Sequence, residues 1–116
     1  LMRRELGIKG EELAEKYLKQ RGYRIVTRNF HTRYGEIDII CEKNNTLIFV
    51  EVKTRRSSNY GTPEEAITFR KMEHLRKAAF IYLEQVKTFY KEIRFDVIGI
   101  IIQGENTEIN HVKNAF

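Results

Sequence analysis

The sequence predicts a single α/β domain over residues 1–116, in which helices pack on a mixed central sheet. Three observations support this prediction. The chain has 116 residues, which suits one hydrophobic core rather than two. Its 41% hydrophobic residues are close to the ordinary fraction of a globular protein and its 32% charged residues are above it, which argues against disorder and against a membrane protein. Its apolar patterns follow the order α-β-β-β-α-β, which favours a mixed sheet covered by helices.

The chain begins with a predicted helix over residues 3–20. Apolar residues recur there at helical spacing, and they are Leu6, Leu13, Ala14, Tyr17 and Leu18. Gly22 follows at the point where such a helix would end. Residues 23–28 come next, are rich in β-forming side chains and predict the first strand.

Two further strands are predicted as a hairpin, over residues 36–41 and 47–53. The second of these is almost entirely apolar, so we expect it at the centre of the sheet with both faces covered. Asn44 and Asn45 suit the central positions of a tight turn between them, because asparagine tolerates positive φ.

A polar loop and a long helix are predicted after the hairpin. Residues 54–61 are polar and lack an apolar period, which is typical of a solvated loop. Thr62, Pro63 and Glu65 match the N-cap, the first helical position and the capping-box position of a helix. The apolar stripe of that helix consists of Met72, Leu75, Ala79, Tyr82, Leu83 and Val86.

Two strand-like segments complete the chain. Residues 93–102 form an apolar run that predicts a fourth strand. A turn at Gly104 follows, and residues 108–112 predict a short strand at the edge of the sheet.

Composition narrows the classes of function. No apolar run approaches the roughly 18 residues that span a bilayer, and the amino terminus lacks a secretory stretch, so we expect no membrane partner. Cys41 is the single cysteine, which excludes an internal disulfide framework and favours a reducing compartment, the cytoplasm. The 21 Lys and Arg residues exceed the 16 Asp and Glu residues, and the net charge of +5 permits a polyanionic partner.

Acidic residues lie close together on the predicted hairpin, and their repulsion destabilises the fold. The register set by the asparagine turn places Asp38 opposite Glu51. It also places Glu36 opposite Lys53. Like charges that face each other across a sheet destabilise it, and apolar neighbours raise that cost. An ordinary ion-pair network or a bound divalent cation would compensate the charges, and both interpretations stay open at this point.

A divalent cation would make this cluster a hydrolytic site. Mg²⁺ takes one or two protein carboxylates and completes its coordination with water and phosphate oxygens, which a phosphodiester supplies. Lys53 would orient the attacking water or stabilise charge in the transition state. Basic residues that border the strand ends would neutralise the other phosphates, and they are Arg28, Arg33, Arg55, Arg56, Arg70 and Lys71.

Several blocks of the sequence resemble one family along nearly the whole chain. They cover residues 7–11, 22–23, 28–30, 35–38 (Gly-Glu-Ile-Asp), 49–55 (Phe-Val-Glu-Val-Lys-Thr-Arg) and 94–97. Together these blocks resemble the YraN-like family of small bacterial endonuclease-like proteins. That family is placed within the PD-(D/E)XK nuclease superfamily, among relatives of archaeal Holliday junction resolvases. The resemblance implies a restriction-endonuclease-like three-layer fold with a mixed sheet between helices.

The resemblance also implies roles for individual residues. It makes Asp38 the motif aspartate, Glu51 the second metal carboxylate and Lys53 the catalytic lysine. Glu11 matches a metal-binding glutamate on the first helix, and Lys71 matches a family lysine. Together these matches imply hydrolysis of DNA with Mg²⁺ or Mn²⁺, with branched or structured DNA as one candidate substrate.

Two other classes of function fit the same sequence. One is a nucleic-acid-binding module that has the nuclease fold but little or no catalysis. The other is a protein-interaction domain whose charges form an ion-pair network. A homodimer is compatible with the nuclease hypothesis, since a chain with one site needs a partner to cut both strands.

We interpret the remaining residues that could take part in chemistry as structural. The three histidines lack metal-ligand spacing and are expected in surface or capping roles, and they are His31, His74 and His111. We expect Cys41 to be buried and Asp96 to pair with Arg94. Tyr34 and Tyr60 flank the site segments and could stack on an unpaired base, but neither is assigned a specific contact.

Overall fold

The computed structural model describes residues 2–57, 59 and 61–116. The elements in chain order are α1 (Arg3–Gln20), β1 (Arg24–Thr32), β2 (Gly35–Lys43), β3 (Thr46–Arg55), a 3₁₀ turn (Glu64–Ala66), α2 (Phe69–Gln85), β4 (Glu92–Gln103) and β5 (Asn106–Val112). This order confirms the predicted α/β class, with β5 at the predicted edge. Tyr60, considered above for base stacking, lies outside the described residues.

The five strands form one mixed sheet in the order β1-β2-β3-β4-β5. Neighbouring strands are antiparallel except β3 and β4, which run parallel and are joined through α2. β3 therefore lies at the centre of the sheet, as its apolar run predicts. Its residues Leu47, Ile48, Phe49 and Val50 are at most 2% exposed.

The two faces of the sheet carry separate hydrophobic cores. On one face, α1 packs through Leu6, Ala14 and Leu18 on residues that include Cys41, Ile48 and Ile98. On the other face, α2 packs through Leu75, Ala79 and Tyr82 on residues that include Ile40 and Phe49. One apolar strand serves both cores because its side chains alternate between the faces. In the described part of the chain, neither helix is long and apolar enough to cross a membrane.

The hairpin between β2 and β3 has the predicted turn. Asn44 and Asn45 have φ angles of 50° and 63°, as the two central residues of such a turn require. The predicted register is confirmed for the pairs nearest the turn, as far as Ile39 and Val50.

The second helix begins later than the sequence predicts. Thr62 Oγ1 does donate a hydrogen bond to Glu65 Oε1 at 2.7 Å, but Glu65 lies in the 3₁₀ turn and not in α2. Ile67 then takes an extended backbone conformation and is only 5% exposed. α2 starts after Thr68, whose Oγ1 accepts a hydrogen bond from Lys71 N–H at 3.1 Å. Burial of Ile67 in this extended conformation therefore interrupts a helix that local signals favour.

A buried network around Asp96 joins α1, β4 and β5. The Asp96 carboxylate is fully buried and accepts a hydrogen bond from Arg94 Nε at 2.8 Å, which confirms the predicted pair. His111 Nε2 lies 2.7 Å from the same carboxylate, and His111 Nδ1 lies 3.1 Å from the Tyr17 hydroxyl. The surface or capping role predicted for His111 is wrong, because its partners are distant in sequence and leave no local spacing signal.

Candidate active site

The site opens where β2 and β3 separate, at Asp38. Among the described residues the ladder between the two strands ends at Ile39 and Val50. Asp38 Oδ2 accepts a hydrogen bond from the backbone N–H of Val52 at 2.8 Å. A side-chain oxygen thus satisfies a donor that a regular ladder would pair with the backbone.

This separation corrects the predicted pairing of four ionisable residues. Asp38 does not face Glu51 as a ladder pair, because its carboxylate lies beside the backbone of β3. Glu36 does not face Lys53 either. The Glu36 carboxylate accepts a hydrogen bond from Asn29 on β1, and the Lys53 ammonium lies near Glu51 on its own strand.

Close packing of α1 on β3 brings Glu11 to the same opening. Gly10 faces Thr54 of β3, and a Cβ atom at Gly10 would overlap Thr54 Oγ1. Glycine therefore permits an approach that a larger residue would prevent. Glu11 follows Gly10 directly and is half-buried at the contact between the helix and the sheet.

Asn29 joins two of the carboxylates, and sequence reasoning gave it no role. Its φ angle of 52° lies in the left-handed region, which asparagine tolerates better than most residues. Its Nδ2 donates hydrogen bonds to Glu11 Oε1 at 2.9 Å and to Glu36 Oε1 at 2.6 Å. The available signal was an asparagine directly after the predicted first strand, because this residue type tolerates the left-handed conformation.

Three carboxylates meet at this point. One oxygen from each of Glu11, Glu36 and Asp38 lies within 4.8 Å of the others, which identifies a group able to hold a metal ion among the described residues. Glu36 was not among the predicted ligands, although its place two residues before Asp38 puts both on one strand face. Glu11 and Asp38 belong to the predicted ligand set, and Glu51 contacts Asp38 without being part of this group.

Ionisation of Asp38 is strongly disfavoured in the protein without a cation. Burial and the negative charge of Glu51 raise the pKa of Asp38 to about 8, and the hydrogen bond from Val52 only partly opposes them. A raised carboxyl pKa indicates that the site favours a bound proton or cation. Such perturbed groups are concentrated at functional sites.

Glu51 is buried, and its two carboxylate oxygens differ in their surroundings. It is 4% exposed, and its Oε2 lies 3.8 Å from Lys53 Nζ and 3.5 Å from Lys71 Nζ. These distances give charge attraction without short hydrogen bonds. Its Oε1 is buried with no hydrogen-bond partner among the described residues.

The donor set fits a divalent cation that prefers oxygen ligands. Mg²⁺ and Mn²⁺ favour carboxylates and water, and Glu11, Glu36 and Asp38 supply converging carboxylate oxygens. The buried, unpartnered oxygen of Glu51 adds a further acceptor beside Asp38. A cation would lower the cost of gathering these negative charges.

Four of the six predicted phosphate-binding residues lie on segments that adjoin the site. Lys71 approaches Glu51 from the first turn of α2, and the exposed Arg70 precedes it. Arg55 ends β3, and Arg56 follows it. Their roles toward phosphate remain predictions.

The other two predicted residues are Arg28 and Arg33. Arg28 donates a hydrogen bond to Glu15 Oε1 at 3.0 Å, so the carboxylates of α1 offset much of its charge. Arg33 donates a hydrogen bond to the Tyr34 hydroxyl at 3.0 Å, at the turn between β1 and β2. Neither contact tests the predicted binding of phosphate.

Comparison with known proteins places the chain in a family. A model of the uncharacterised protein family UPF0102 matches residues 10–100. A UPF0102 protein of Syntrophomonas wolfei is 56% identical over 115 residues, which cover 99% of this chain and all of the relative. UPF0102 proteins of Caldicellulosiruptor saccharolyticus and Rhodococcus opacus are 47% and 46% identical, over 98% and 96% of this chain and 98% and 95% of their own lengths.

These matches include the Gly-Glu-Ile-Asp and Glu-Val-Lys segments that form the site, since both fall within residues 10–100. The family description states no activity. The chain belongs to the UPF0102 family, also called the YraN family.

Proposed function

We propose that this protein hydrolyses phosphodiester bonds of DNA with the help of Mg²⁺ or Mn²⁺. The observation that carries the proposal is the convergence of Glu11, Glu36 and Asp38 beside the buried Glu51. The charge of Asp38 beside the buried Glu51 has a high electrostatic cost unless a cation compensates it. The family description alone would not support this activity.

The proposed roles follow from the placement of each side chain. Glu11, Glu36 and Asp38 would hold the cation. Glu51, which contacts Asp38, would be the further carboxylate ligand that the family resemblance implies. The cation would supply polarisation of a phosphoryl oxygen and activation of water. Lys53, whose Nζ lies 3.8 Å from Glu51 Oε2, would orient the attacking water or stabilise charge on the phosphoryl group.

A second ammonium strengthens the assignment of the substrate as a phosphodiester. Lys71 Nζ lies 3.5 Å from Glu51 Oε2, so two cationic side chains face the place where a phosphate would bind. The net charge of +5 favours a polyanion in general. DNA with branched or structured regions remains the candidate that the family resemblance suggests.

Cleavage assays test the proposal directly. Plasmid and branched DNA are incubated with the protein in Mg²⁺ or Mn²⁺, and product is measured for the wild type, Glu51→Gln and Lys53→Met. Each substitution is expected to lower the rate at least about a hundredfold, as loss of one electrostatic contact typically does. Glu12→Gln, an exposed neighbour of Glu11, is the control and should cleave like the wild type. No cleavage by the wild type, or equal cleavage by all variants, would contradict the proposal.

A binding measurement separates this function from simple nucleic-acid binding. Mg²⁺ at a hundred times its dissociation constant should stabilise the wild type by about 2.7 kcal/mol against unfolding. Asp38→Asn should lose this effect. If DNA binds but Mg²⁺ gives no stabilisation, the binding module without catalysis is the better function.

A further inference from the structure

A cleft lies beside the proposed active site, on the sheet face that carries α2. It has a volume of about 510 Å³ and is bounded by the end of β3, by residues 61–63 and by strands β4 and β5. Gly99 shapes its floor, because a Cβ atom there would overlap the Pro63 ring. The segment at Pro63 can therefore lie directly on β4 and form one wall.

The cleft begins where the proposed site ends. Lys53 lines it, and the same ammonium lies 3.8 Å from Glu51 Oε2. Arg55, two residues further along β3, lines it as well. A nucleic acid strand with one phosphate at the carboxylates would thus extend into a cleft whose entrance is positively charged.

The lining has the character of a site for a flat, partly polar group. Pro63 and Ile101 supply apolar surface. Asn110 offers a donor and an acceptor, and Glu108 offers acceptors, as the hydrogen-bonding edge of a base requires. Pockets of this volume suit small molecules and single aromatic groups rather than a duplex.

We propose that this cleft binds an unpaired base of the strand whose phosphate lies at the carboxylate cluster. The inference rests on the proposed function and adds a substrate preference to it. A base reaches such a cleft only when it has left the helical stack, and that step costs least where the base is already unpaired. The protein therefore prefers nucleic acid with unpaired nucleotides next to the cleaved bond.

A tryptophan placed in the cleft tests this preference. Asn110→Trp would fill it, whereas Thr107→Trp is the matched control on the same strand. Asn110 pairs with Gly99 of the cleft floor, and Thr107 is exposed and points to the opposite face by strand alternation. Glu108→Trp is a second filling variant if Asn110→Trp does not fold.

Two substrates with the same 2-aminopurine strand are compared. In one the complementary strand leaves the 2-aminopurine unpaired, and in the other it pairs with every base. The fluorescence of 2-aminopurine is recorded in EDTA, and cleavage is recorded in Mg²⁺. We expect the wild type and Thr107→Trp to change the fluorescence and to prefer the unpaired substrate by about tenfold or more, as stacking of one base allows. Asn110→Trp should lose both effects.

The outcomes separate this inference from the proposed function. Equal cleavage of the two substrates, or an unchanged preference in both filling variants, overturns the base site and leaves the hydrolysis proposal intact. A fluorescence change that only the filling variants lose, without cleavage of either substrate, supports the base site and contradicts hydrolysis. The absence of any fluorescence change with the wild type overturns the base site.

Discussion

The charge of Asp38 is strongly disfavoured by the folded protein. Burial and Glu51 raise its pKa to about 8, whereas the ordinary value for an aspartate is 3.8. Between these pH values the folded protein keeps a proton that the unfolded chain has lost, so the free energy of unfolding falls as pH rises from about 4 to about 8. Asp38→Asn keeps an acceptor for Val52 N–H and removes the charge.

We therefore expect Asp38→Asn to be more stable than the wild type above pH 8 in EDTA, by about 1–3 kcal/mol. The difference between the two proteins should shrink toward pH 4. Urea unfolding at several pH values measures it, and comparison with the variant isolates Asp38 from other titrating groups. A wild type that equals or exceeds the variant in stability at high pH would refute this account of the carboxylates.

Asn29 allows the metal site to be weakened without touching a ligand. Asn29→Gly keeps the left-handed backbone and removes the amide that bridges Glu11 and Glu36. Loss of such supporting contacts typically lowers metal affinity about 10- to 100-fold. Titration calorimetry with Mn²⁺ should show this decrease. Asn44→Gly, at another left-handed asparagine in the hairpin turn, should keep the wild-type affinity.

The approach of α1 to β3 determines where Glu11 lies. Gly10→Ala would collide with Thr54, and the overlap should cost about 1–3 kcal/mol despite the better helix propensity of alanine. Gly7 lies in the same helix with open space around its Cβ position. Gly7→Ala should therefore stabilise the protein by about 0.5–1 kcal/mol. Thermal unfolding compares the two, and equal effects would show that the contact at Gly10 is unimportant.

The elements also show which parts of the fold the sequence could predict. α1 and the asparagine turn follow from local patterns, and the structure has both where they were expected. The start of α2 was misplaced because the signal at Thr62 is local, whereas the burial of Ile67 depends on the packed sheet. Tertiary packing overrides propensity in such cases.

In the candidate site, local sequence patterns predict some of the contacts, and tertiary packing determines the others. Asp38 and Glu51 are brought together by one hairpin, so the register of a short turn was enough to predict their proximity. Alternation puts Glu36 on the strand face of Asp38, but its proximity to Glu11 depends on how α1 packs on the sheet. Asn29 enters the cluster through its left-handed backbone and its contacts with Glu11 and Glu36, which no local pattern reveals. His111 meets Tyr17 across 94 positions of sequence, where no periodic pattern connects them.

The hydrogen-bond network of Asp96 connects α1, β4, β5 and the C-terminal segment. Burial alone would raise the pKa of Asp96, but hydrogen bonds from His111, Arg94 and the backbone N–H of Asn114 together lower it. A lowered carboxyl pKa stabilises the fold above the unfolded value of 3.8, and this stabilisation is lost as pH falls through the folded pKa. The network should therefore contribute to acid unfolding of the chain.

Asp96→Asn is expected to destabilise the protein by about 3–5 kcal/mol at pH 7, because it leaves the charge of Arg94 without its buried counterion. Glu42→Gln is the control, since it breaks an ion pair with Arg24 whose side chains are 25% and 67% exposed. Exposed pairs contribute about 0–1 kcal/mol. Urea unfolding at pH 7 should separate the two variants, and the difference between wild type and Asp96→Asn should shrink as the pH is lowered below 3.8. Equal destabilisation by both variants would mean that the buried network does not join the elements of the fold energetically.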